Sequence, residues 1–147
     1  MTLAQFSDNL SDLEKCLPDI IDMALNAGID ELDSKMTNRI FNGNEDINGK
    51  SFGKYKSEAY KELRQSLGKS IVVKDLQFNK DLLISFFKDY ANKLIRFNND
   101  LNTNKGRGQE HQMKTRIFEG SESEIEDAFS VMEEVFIEEI NNCLGVK

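Results

Sequence analysis

Apolar residues recur at helical spacing from the start of the chain. Leu3, Phe6, Leu10, Leu13 and Leu17 stand at i, i+3, i+7, i+10 and i+14, one stripe of a helix over about residues 2–17. Pro18 lacks an amide donor and disfavours helical geometry just before it, so the pattern predicts a break there. A second helix over about 19–41 follows, with Asp19 and Asp22 suited to its first turn and Ile21, Ala24, Leu25, Leu32, Met36 and Ile40 as its apolar positions. Residues 42–56 are rich in Gly and Asn and read as a loop. Ser57 then caps a short helix over 58–67, with Tyr60, Leu63 and Leu67 on one face and Gly68 as its stop.

The period changes after Gly68. Ile71–Val73, Leu82–Phe87 and Leu94–Phe97 are short β-branched or apolar runs, read as three strands of an antiparallel sheet in a strand-rich stretch 71–98; Leu82–Phe87 also admits one turn of helix. Residues 98–110, NNDLNTNKGRGQE, read as a second polar loop. Ser121 and Glu124 form a capping box before a closing helix over about 121–143, whose apolar positions Ile125, Ala128, Phe129, Met132, Val135, Phe136, Ile140 and Cys143 recur at steps of one, three and four. The sum is a single α+β domain over 1–147, a small antiparallel sheet packed by N-terminal helices and a long C-terminal helix.

Composition agrees with a folded chain: 39% of the 147 residues are hydrophobic, too many for a disordered segment. No run is apolar enough for a membrane span, and the first ten residues lack the pattern of a signal peptide. Cys16 and Cys143 have no CxxC spacing and read as two buried or idle thiols in a reducing cytosol. Charge is segregated. Residues 1–47 carry 3 basic and 10 acidic side chains, residues 48–116 carry 15 and 7, and residues 117–147 carry 1 and 9. A basic middle between acidic flanks can pair within one molecule or between neighbouring copies. The net charge of −7 argues against a polyanion as the main partner.

Catalytic, cofactor and metal signatures are absent from the pattern. His111 has no nucleophile motif to serve, the carboxylates lie on helix faces, and Gly106 and Gly108 do not make a phosphate loop. Asn44-x-Asp46-x-Asn48-Gly49 imitates the first half of a calcium loop, but Tyr55 stands where the bidentate Glu is needed. Asp100-x-Asn102-x-Asn104 is further off, with Lys105 at the glycine position. Both read as turns. Residues 50–69 interleave Lys50, Lys54, Lys56, Lys61, Arg64 and Lys69 with Phe52, Tyr55 and Tyr60, either a basic amphipathic helix with an aromatic lead-in or a surface that holds phosphates and stacks bases.

The order of these features resembles a known family. Arg39-Ile40-Phe41, Asn42-Gly43-x-x-Asp46-x-x-Gly49-Lys50-x-Phe52-x-x-Tyr55, Asp75-Leu76-x-Phe78 with Leu82 and Ser85, His111-Gln112, and Arg116-Ile117-Phe118-x-Gly120-Ser121 are similar, over about residues 36–145, to the virion-morphogenesis or tail-completion proteins of tailed bacteriophages. The resemblance implies a small α+β structural protein without catalytic residues, made in the bacterial host cytoplasm and located in the virion neck. It would act as a homo-oligomeric ring, contacting neighbouring neck or tail proteins and DNA in the channel. Asp46, Gly49, Phe52, Tyr55, His111 and Gln112 would then position loops, and Lys54, Lys61 and Arg64 would meet the acidic closing helix of the next copy. The other reading is a small intracellular nucleic-acid-binding or regulatory module using residues 50–69.

Overall fold

A helix of 35 residues, α1 (Leu3–Thr37), forms the spine of the computed structural model, which describes residues 2–76 and 81–145. It opens with a capping box in which the Thr2 hydroxyl accepts from the Gln5 amide and the Gln5 side chain accepts from the Thr2 amide. The break predicted at Pro18 does not occur. Proline there removes the hydrogen bond to the Glu14 carbonyl and crowds that carbonyl with its ring, but both residues lie on the exposed side, where the carbonyl can tilt outward to water. Downstream, Ile20, Ala24, Ile29 and Met36 are buried, and their packing keeps the helix continuous.

A π-helical turn (Asn38–Gly43) follows, closed by Asn44 at φ 56°. After the loop come α2 (Glu58–Ser66), capped by the Ser57 hydroxyl, then α3 (Asp81–Ser85), β1 (Phe86–Asp89), β2 (Leu94–Phe97), α4 (Asp100–Met113) and α5 (Glu122–Cys143). Among the described residues the sheet has two strands, not three. β1 and β2 pair antiparallel with Phe86 opposite Phe97 and Asp89 opposite Leu94. Residues 82–85 take the helical option, and Ile71–Val73 have β-propensity but pair with no strand among the described residues. Phe78 and the rest of 77–80 lie outside the described residues.

The segment predicted as a loop over 98–110 is mostly α4. Asn99 caps it by accepting from the Asn102 amide at 2.9 Å. Gly106 is buried because a Cβ there would lie 2.7 Å from Phe97 Cε2 and 3.3 Å from Phe118 Cε2. That glycine gives close approach rather than flexibility.

α5 runs antiparallel to α1, since Glu124, Asp127 and Cys143 meet Arg39, Lys35 and Cys16. The helices close on each other at Gly28, where an added Cβ would collide with the Met132 side chain. The same pairing corrects the reading of idle thiols: Cys16 and Cys143 are joined as a disulfide, 127 positions apart in sequence, with Cα atoms 6.6 Å apart. The core gathers Met36, Ile40, Phe41, Phe52, Leu76, Leu82 and Ile117. Phe86, Phe97 and Phe118 stack beside it at centroid distances of 5.0–6.2 Å. Helices with a small antiparallel sheet make the chain α+β. Among the described residues no helix is long and apolar enough to cross a membrane.

Candidate interaction surface

Arg39, on the π-helical turn, is the hub of the motif residues. Its Nε and Nη2 donate to the two Glu124 oxygens at 2.8 and 3.2 Å, and its remaining donors reach the carbonyls of Glu45, Ile117 and Glu119. One guanidinium thus fixes the end of the first helical segment, the glycine loop, the strap at 117–119 and the start of α5. Burial pushes the Glu124 carboxyl up, but the hydrogen bonds from Arg39 and the Ser121 amide outweigh it and hold the group below its ordinary value. Glu110 adds a second tie, accepting from the Ile117 and Phe118 amides at 2.7 and 3.0 Å.

Asp46 is buried in the loop. One carboxylate oxygen accepts from the amides of Asn48 and Lys50, and the other from the Thr115 hydroxyl at 2.8 Å. Desolvation raises this carboxyl, and the three donors more than offset it, so its value is lowered. Both oxygens serve the turn and its anchor. Gly49, at φ +71°, lets the loop reverse. Phe52 inserts into the core.

Arg64 is not a surface contact. It is 1% exposed, donating to the Ser70 carbonyl at 2.8 Å and to Asp75 at 2.6 Å, with its guanidinium 4.7 Å from the centre of the Tyr55 ring. Tyr55 completes the knot by accepting from the Asp75 amide at 3.0 Å. Lys61 pairs with Glu58 at 2.5 Å. Of the basic residues singled out in the sequence, Lys54 is exposed and forms no ion pair among the described residues.

A basic surface exists, and Lys50 and Lys56 of the basic run share it with Lys74 and Lys114. Lys50, Lys56, Lys74 and Lys114 converge on a cleft of about 500 Å³ over Phe52 and Met113, with Gln112 in its wall and the exposed His111 one residue away. Among the described residues none of these four lysines has an ion-pair partner, while the cleft's one carboxylate, Asp46, is committed to the loop. Sequence reasoning missed this grouping because the lysines come from three separate segments. The acidic counterpart is on α5, where exposed Glu126, Glu133, Glu134 and Glu138 likewise have no ion pairs among the described residues. Glu133 sits beside Ile21 and Leu25, whereas the loop bearing Lys50 follows the far end of α1, roughly 20 Å away at 1.5 Å per residue. Glu133, Glu134 and Glu138 and the cleft are therefore separate surfaces of one molecule, whereas Glu126 lies near the end of α5 that packs beside the loop. No grouping of three or more His, Cys, Asp or Glu with metal-binding geometry occurs among the described residues.

Neither protein-family models, nor curated proteins, nor solved structures give a match to this chain.

Proposed function

We propose that the protein is a structural, non-catalytic component of a tailed-phage neck, completing the tail and joining it to the head connector by ring assembly. The motif order over residues 36–145 supports this reading. The observation that carries it is the separation of the unpaired lysine cleft from the unpaired Glu133, Glu134 and Glu138 of α5. Two different surfaces that complement each other between copies make a heterologous contact, which generates a ring where the rotation between copies closes. The loops around Asp46 and Glu110 are already tied down, so the cleft is offered as a rigid surface.

The test is absolute mass by light scattering across concentration at low and high salt. A discrete multiple larger than a dimer, lost at high salt and lost in K50E/K56E/K74E, is expected. A mass unchanged by those substitutions overturns the lysine–glutamate contact, and a protomer at every concentration overturns the ring.

The convergence of four lysines next to Tyr55 and Gln112 also favours a second reading, nucleic-acid binding through the same cleft. DNA affinity falling steeply with salt, with about one fewer released counterion for each lysine removed, would identify it.

A further inference from the structure

The apolar stripe of α1 continues past the end of its partner helix. Leu3, Phe6, Leu10, Leu13, Leu17, Ile20 and Ala24 alternate in steps of three and four, a seven-residue repeat that marks the seam of two packed helices. Where α5 covers this seam, Ile20 and Ala24 are each 4% exposed. α5 ends at Cys143, bonded to Cys16. Beyond that point Leu3, Phe6 and Leu10 are 88%, 49% and 51% exposed on a helix that is capped and regular.

We propose that a second copy of the chain covers this seam, the two N-terminal arms lying antiparallel. The arm is self-complementary in that direction. With its midpoint at Asp8, Leu3 faces Leu13 of the other copy and Phe6 faces Leu10. Each arm then runs in the direction of the other copy's α5 and occupies the seam where that helix stops. The flanks allow it, because between Leu3 and Leu13 the positions beside the seam are Ser7 and Asn9, which are uncharged, while Asp8 and Asp12 fall on the outer side. Glu14, beyond Leu13, stands level with Thr2 of the other copy and not with a carboxylate. A chain with a net charge of −7 can thus approach its twin along this line without opposing carboxylates. A lipid surface fits poorly, since the polar side of the arm is acidic and carries only Lys15 as a cation. Four side chains per arm place the contact below the roughly 1,200 Å² of a standard interface, so the dimer is reversible.

The pairing is isologous and apolar, and does not depend on the neck reading. Its test is sedimentation equilibrium of the full oxidised chain from about 1 μM to 1 mM, at low and high salt. A reversible dimer that persists at high salt is expected, and F6D/L10D should weaken it at least about tenfold, because a charge would enter the seam. Both positions are exposed, so circular dichroism of the variant should match the parent. Spin labels at S7C should lie within about 15 Å of each other, and labels at D19C about 30 Å or more apart from the helix rise alone. A protomer throughout, a dimer indifferent to F6D/L10D, or distant S7C labels would overturn the proposal. High salt removes the lysine–glutamate contact and spares this one, so the two assemblies fail separately.

Discussion

Arg39 and Glu124, 85 positions apart in sequence, meet through two hydrogen bonds at 2.8 and 3.2 Å, with only 9% and 8% of their side chains exposed. The pair joins the end of the first helical segment to the first turn of the last helix. Removing one member leaves the other charge buried without its partner, which costs more than the pair contributes. Arg39→Ala should therefore lower unfolding stability by about 3–5 kcal/mol, read by urea denaturation. A loss under about 1 kcal/mol, the range of surface pairs, would show that water replaces the guanidinium.

Acid sensitivity follows from the same region. Glu124 and Asp46 both titrate below their ordinary values in the folded chain, against unfolded values of about 4.3 and 3.9. The unfolded chain binds more protons in that range, so the stabilisation is fully present above the unfolded values and is lost as pH falls through the folded ones. Unfolding midpoints measured from pH 7 to pH 2 should fall below about pH 4, and Asp46→Asn should flatten that fall. An unchanged slope in the variant would remove Asp46 from the acid response.

Two glycines of α4 should respond oppositely to alanine. At Gly108 nothing lies within 4 Å of the added carbon, so Gly108→Ala should stabilise by about 0.5–1 kcal/mol through helix propensity. At Gly106 the same carbon would meet the Phe97 ring at 2.7 Å, and Gly106→Ala should destabilise by about 1–3 kcal/mol. Thermal melts of both variants decide it, and equal shifts would mean that α4 is not packed on Phe97.

Reduction supplies another check. A cross-link closing a loop of 127 positions restricts the unfolded chain, a term of about 2–5 kcal/mol. Melting with and without a thiol reductant should show that loss. Thiol titration should find no reactive groups in the oxidised chain and two after reduction.

The elements most legible in the sequence were those whose local signals agreed with their packing. α5 announced itself through the Ser121–Glu124 box and its apolar steps, and α2 through the Ser57 cap. α4 was hidden because Gly106 looks like a turn residue until Phe97 is seen in the space of its side chain. Pro18 looked like a break because sequence does not say which side of a helix faces water. Arg64 looked like one more surface cation, and only the fold brings Tyr55 and Asp75 around it. The lysine cleft was invisible for the converse reason, being assembled from loop, linker and helix end.

The unbroken passage of α1 through Pro18 has a hydrodynamic consequence. Thirty-five residues at 1.5 Å each make a rod of about 52 Å, whereas a sphere with the radius of gyration usual for 147 residues, about 15 Å, is only about 38 Å across. The protomer is elongated, tumbles slowly for its 16.8 kDa and elutes ahead of globular standards of equal mass. An early elution peak is therefore the signature of one molecule's shape, and a frictional ratio above that of a sphere should accompany it even at the lowest concentration.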